Sequence, residues 1–75
     1  MPYIDPVATG KNIKNIMIKN GKTVKDVRDM CGLESTNSVY KWLNAQSLPT
    51  IDNLVILAHG FGVTVDDLLV LTREE

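Results

Sequence analysis

Residues 36–41 hold the chain's densest run of side chains able to read the hydrogen-bonding edge of another molecule: Thr36, Asn37, Ser38, Tyr40 and Lys41. Asn37 carries a donor and an acceptor on one planar amide and can bond bidentately to adenine. Thr36 can bond either base type or touch a thymine methyl, and Lys41 can reach guanine or a phosphate. Val39, Trp42 and Leu43 interleave with them at helical spacing, so the run sits on a short helix with one apolar stripe. A helix entering the major groove presents its N-terminal side chains to base edges, and small hydroxyl and amide groups fit there without filling the groove. Ser35 to Ser38 taken alone also reads as an ordinary polar helix start.

Other chemistries find few residues to use. His59 is the only histidine, and no second His, Cys or paired carboxylate stands at ligand spacing from it, so it reads as a helix-surface residue. The single cysteine, Cys31, excludes an internal disulfide framework, fits a reducing compartment and reads as buried and inert. No Ser/His/Asp set, Gly-rich phosphate loop or zinc knuckle occurs, so neither an enzyme nor a bound metal or cofactor is expected. The start MPYIDPVATG lacks a basic segment followed by an apolar run, and no stretch approaches the length of a membrane span. The expectation is a cytoplasmic, nucleoid-associated protein with no membrane partner.

The elements that position the polar run follow from periodicity. Seventy-five residues, 44% of them hydrophobic, make one small domain. Residues 1–8, with Pro2 and Pro6, read as an extended arm, residues 9–71 as the folded domain and residues 72–75 as a tail. Five helical patterns are predicted. The first runs from about Thr9 to Asn20, with Ile13, Ile16 and Met17 as its stripe and Gly21 as its stop. The second starts at Thr23, boxed by Asp26, and carries Val24, Val27, Met30 and Cys31 before Gly32 ends it and Leu33 turns back inward. The third starts after Ser35 and ends near Asn44. Leu48-Pro49 breaks the chain, and Thr50 caps a fourth helix with Ile51, Leu54, Leu57, Ala58 and Phe61 in line. Thr64 with Asp67 opens a fifth, carrying Val65, Leu68 and Leu69 and fading by Arg73. The expected core is Ile13, Ile16, Val27, Cys31, Leu33, Val39, Trp42, Leu54, Leu57, Ala58, Phe61 and Leu68. With no strand alternation, the fold is predicted to be all-α: a compact set of short helices crossing steeply around one core.

Charge is distributed unevenly although the net value is only −1. Seven Lys and Arg face four Asp and Glu through residue 41, and one faces five after it. Such halves suggest a basic and an acidic face, or ordinary solvated charge.

The pattern as a whole resembles a known family. Thr23-Val24-Lys25-Asp26-Val27, Gly32-Leu33, Ser35, Val39-Tyr40-Lys41-Trp42, Ser47-Leu48-Pro49, Asp52-Asn53-Leu54, Leu57-Ala58 and the closing Phe61-Gly62-Val63-Thr64-Val65-Asp66-Asp67-Leu68-Leu69 resemble the Cro/repressor-type (XRE) helix-turn-helix regulators. The form is that of the compact regulators common in Gram-positive bacteria and their mobile elements. The resemblance spans residues 9–71. It implies a five-helix lambda-repressor-like fold, with helices 2 and 3 as the helix-turn-helix, binding double-stranded DNA as a homodimer and regulating transcription, as a repressor. It places Thr36, Asn37, Tyr40 and Lys41 at base-contacting positions. Thr23 and the Asn44, Gln46, Ser47 loop fall at phosphate-contacting positions, to which Lys11, Lys14, Lys25 and Arg28 add charge. The alternative is a protein-interaction module, an antitoxin or phage adaptor, that reuses the fold without specific DNA binding.

Four departures from the family pattern carry structural expectations. Gly32-Leu33-Glu34-Ser35 holds one residue more than the usual Gly-Val-Ser turn. Arg28 replaces a small residue where the two helices approach, so the longer turn must open the crossing and let the guanidinium reach solvent or phosphate. Ala45 replaces a glycine, at a cost of about 1 kcal/mol if the backbone there is left-handed. Val24 replaces a glutamine that commonly touches phosphate. Val55, Ile56, Val70 and Leu71 exceed what one small core buries, and suggest a dimer face or ordinary exposed aliphatics.

Overall fold

The computed structural model describes residues 2–73. Along the chain run strand β1 (Pro2–Ile4), helices α1 (Pro6–Lys19), α2 (Val24–Cys31), α3 (Asn37–Leu43), α4 (Ile51–Phe61) and α5 (Val65–Leu68), and strand β2 (Leu71–Arg73). The five helices are those the periodicity predicts. α3 packs on both α1 and α2, while α4 packs on α2 and α5, and α5 closes back onto α1.

Three of the helices begin on a threonine that bonds the backbone N–H three residues on. Thr23 accepts from Asp26, Thr50 from Asn53 and Thr64 from Asp67. In α2 and α5 the aspartate also accepts from the threonine N–H, completing the capping box. Those hydrogen bonds hold the Asp26 and Asp67 carboxyls below the ordinary aspartate value. Gly32 and Gly62 end α2 and α4 with φ of 65° and 69°, the left-handed turn that glycine enters without a Cβ clash.

The small β-ribbon is an addition to the all-helical expectation. β1 and β2 pair antiparallel, with Tyr3 opposite Thr72 and Ile4 opposite Leu71. Strands of three residues are too short to show alternation, and a ribbon this small persists only where tertiary bonds hold it. They do so here. Asp5 N–H donates to the Val70 carbonyl at 2.8 Å. The Asp5 carboxylate accepts from Ala8 N–H at 3.0 Å, so α1 starts at Pro6, ahead of the predicted Thr9. The arm expected over residues 1–8 therefore contracts to β1 and a cap. At the other end Leu69 turns extended (φ −90°, ψ 139°), so α5 stops at Leu68 and leads into β2. Thr72 and Arg73 of the expected tail belong to β2, while Met1, Glu74 and Glu75 lie outside the described residues.

The core consists of Ile13, Met17, Val27, Val39, Trp42, Leu54, Leu57, Ala58, Phe61 and Leu68. Ile16, Cys31 and Leu33, expected inside, are half-buried against it. The inner line of α1 is Thr9, Ile13 and Met17, spaced four apart, which leaves Ile16 on the flank. Cys31 and Leu33 bracket the exposed Gly32 turn, where the chain runs at the surface. Partial burial still pushes the Cys31 thiol upward, away from the reactive thiolate.

Candidate nucleic-acid interface

α2, the turn at residues 32–36 and α3 form the unit that presents the polar run. Leu33 N–H bonds the Arg28 carbonyl at 3.0 Å, which folds the turn back over the end of α2. Arg28 is partly solvent-exposed, its guanidinium paired with the adjacent Asp29 at 2.7 Å. Val24 packs half-buried against the core. Neither residue leaves an uncompensated polar group inside.

α3 begins differently from its neighbours. Thr36 occupies the cap position with helical φ and ψ, and its hydroxyl makes no capping bond. Ser35 substitutes, accepting from Asn37 N–H at 3.3 Å. Val39 and Trp42 are buried and anchor one side of the helix, while Asn37, Tyr40 and Lys41 are exposed on the other and Thr36 is half-buried. A seven-residue helix has little stability of its own, so these two anchors hold its orientation.

The loop after α3 is wound tightly onto the helix end. Gln46 N–H reaches the Lys41 carbonyl at 2.9 Å and Ala45 N–H the Trp42 carbonyl at 3.3 Å. This closure requires a left-handed residue, and Ala45 supplies it with φ 62°, the only non-glycine residue at positive φ among those described. Ala45→Gly is therefore expected to stabilise the protein by up to about 1 kcal/mol, raising the melting temperature by about 4 °C. A lower midpoint in calorimetry would show that the turn carries no such strain.

The closed loop and the start of α4 face α3 across a groove of about 490 Å³, lined by Ser38, Lys41, Trp42, Gln46, Ser47, Leu48, Thr50 and Asn53. The groove thus gathers Lys41, Gln46 and Ser47 of the expected contacts, while Asn44 is exposed at its edge of the loop. Lys11 and Lys14 are exposed on the outer side and flank of α1, away from the buried stripe, and do not line it. Lys25 is exposed on α2. Thr23 is exposed too, but its oxygen already serves the Asp26 N–H, and the Asp26 carboxylate sits on the same helix start. That carboxylate opposes an anion there. Ser38, Thr50 and Asn53 were not among the expected contacts. The usable signal for the last two was the Pro49-Thr50 helix start, which had to lie beside Trp42 for the groove to form.

Among the described residues no three His, Cys, Asp or Glu side chains gather as a metal site. No helix among them is long and apolar enough to cross a membrane.

A family model described as helix-turn-helix matches residues 13–68, which takes in α2, the turn and α3. The chain belongs to the Cro/C1-type (XRE) helix-turn-helix family, a family of DNA-binding regulators. No curated protein and no solved structure matches it significantly.

Proposed function

We propose that this chain is a sequence-specific regulator of transcription, of the repressor kind, which inserts α3 into the major groove of duplex DNA. The observation that carries the reading is the two-sided character of α3: Val39 and Trp42 locked in the core, and Asn37, Tyr40 and Lys41 turned to solvent. Asn37 reads adenine through its amide, Thr36 and Lys41 contact the flanking bases, and Tyr40 lies along the groove wall. Gln46, Ser47, Asn44, Lys25 and Arg28 meet phosphates on either side, with Lys11 and Lys14 adding longer-range attraction. The acidic side chains Asp66 and Asp67 on α5 are exposed and lie outside the α3 groove. The reading requires no small-molecule cofactor and places the protein with the nucleoid in the cytoplasm.

Binding as a homodimer on a near-palindromic site is part of the proposal. Its support is the exposed aliphatic surface of Val55, Ile56 and Leu71; Val70 is half-buried and contributes less. Val55 and Ile56 line an apolar depression with Met30, His59 and Gly60. Sedimentation at rising concentration tests the association.

Selection of bound duplexes from a random pool tests recognition directly, and is expected to return two half-sites related by a dyad. On the selected site Asn37→Ala is expected to weaken binding about tenfold, with little change on random DNA. An equal loss on both would remove Asn37 from base recognition. Absence of any DNA retardation at low salt, with stable capture of a protein partner, would replace this reading by an interaction module.

A further inference from the structure

The two strands of the β-ribbon present unequal outer edges. Tyr3 lies opposite Thr72 and Ile4 opposite Leu71. Asp5 and Val70 come next in that register, and the Asp5 N–H donates to the Val70 carbonyl at 2.8 Å. Along an antiparallel ladder, pairs that exchange hydrogen bonds alternate with pairs that do not. Asp5 with Val70 is a bonding pair, so Tyr3 with Thr72 is the next one. Ile4 with Leu71 and Pro2 with Arg73 are the pairs between, and their N–H and C=O groups point out of the ribbon.

The outward positions of β1 are Pro2, Ile4 and, just past its end, Pro6. Proline has no N–H, so this edge offers a single donor and is closed to a further strand. The outward positions of β2 are Leu71 and Arg73, and each carries its N–H. Leu71 is 57% exposed, on the same side of the ribbon as the half-buried Ile4 opposite it. β2 thus combines an open edge with an uncovered apolar side chain.

We propose that the β2 edge is the contact between two copies of this chain, paired antiparallel about a dyad at Leu71. The product is a four-stranded sheet in the order β1, β2, the partner's β2, the partner's β1. An antiparallel pair of identical strands is two-fold symmetric, as the homodimer reading requires, and the proposal rests on that reading for its dyad. With Leu71 opposite the partner's Leu71, the two exposed side chains meet as a cross-strand pair and cover each other. Both outer edges of the sheet are then proline-blunted β1 strands, so assembly closes at two copies and does not extend into a fibre. Strands of three residues bury far less than the roughly 1,600 Å² of a standard interface. The pairing is therefore weak between free chains and firm where two half-sites of one duplex hold them together.

The Leu71 amide reads this contact directly. In a ¹⁵N-labelled chain its proton resonance is expected to move downfield as protein concentration rises, while that of Ile4, on the closed edge, stays in place. N-methylation of the Leu71 amide removes the outward donor, and Leu71→Pro removes the same N–H genetically. Both variants are expected to keep the melting temperature, since that N–H serves no bond to β1, and to lose the association. Both should bind a duplex of two half-sites about tenfold more weakly, as for loss of two hydrogen bonds, with unchanged affinity for a single half-site. A Leu71 resonance that stays fixed while the protein associates overturns the proposal, whether or not the variants fold. Undiminished association of the folded variants overturns it too, and moves the dyad to Val55 and Ile56. A Leu71-dependent dimer that retards no duplex supports the strand pairing while defeating the DNA-binding reading. Binding as a monomer to one half-site and to two, with no gain from the second, leaves the DNA-binding reading standing and overturns the pairing.

Discussion

Gly10→Ala is expected to destabilise this protein, although helix propensity alone predicts a gain of about 1 kcal/mol for replacing an interior helical glycine. Gly10 lies in the middle of α1, on the face that packs against α3, and is buried. A Cβ built there would stand 2.6 Å from the Trp42 carbonyl oxygen and 3.0 Å from that of Leu43. Both are backbone atoms, so no side-chain rotation relieves the contact. Helix α3 would have to move, and its last turn is tied to the Ala45 closure and to the buried indole. We expect a loss near the upper end of the roughly 1–3 kcal/mol typical of overpacking, and a melting temperature lower by about 10 °C or more. If α3 is the recognition helix as proposed, DNA affinity should fall as well, because the same contact fixes the position of α3. A calorimetric midpoint at or above that of the parent protein would mean that α1 and α3 do not approach this closely.

Leu57→Ala is expected to cost more. Leu57 is fully buried on α4, the helix that packs on both α2 and α5. Truncating a leucine at such a site costs roughly 2–5 kcal/mol through lost transfer energy and the cavity left behind. A domain of this size has a total stability of only about 4–11 kcal/mol, so the variant should be partly unfolded at physiological temperature. Val55→Ala, two residues earlier on the same helix and 54% exposed, provides the contrast, with an expected effect on monomer stability within about 0.5 kcal/mol. Equal losses in urea denaturation of the two variants would show that α4 presents a different face to the core.

Much of the helical framework was legible because its determinants are local. Thr23, Thr50 and Thr64 announce their helices through a side-chain oxygen three residues from the N–H it accepts. Gly32 and Gly62 mark the left-handed stops in the same way. The apolar spacing placed Val27, Val39, Leu54, Leu57 and Leu68 inside without any knowledge of their partners. Ile16, Cys31 and Leu33 show the limit of that argument. Periodicity gives the side of a helix that turns inward, but the depth of burial depends on where the neighbouring helix ends.

What the linear pattern could not contain are the bonds between its two ends. Thr9 is fully buried, its hydroxyl accepting from the Val70 N–H at 3.0 Å. Asn12 donates from its amide to the carbonyls of Asp67 and Leu68 at 2.7 and 3.0 Å, closing the short α5. Thr9 reads in the sequence only as the start of the first helix. The partners of both residues lie more than fifty positions away.

The polar run from Thr36 to Lys41 marks the same divide. Residue type and spacing alone determined that these side chains share a short helix and can bond base edges, since donor inventory and the 3.6-residue turn are local properties. Only the tertiary structure decided which of them stand free. It buried Val39 and Trp42 under α1 and α2, and wound the loop at Ala45 so that Gln46 and Ser47 joined Lys41. It also set the start of α4 on the groove that Trp42 lines, a residue that the sequence marks only as core. A groove is a relation between surfaces of separate helices, and that relation is fixed by packing and by close approaches such as Gly10 against the α3 backbone.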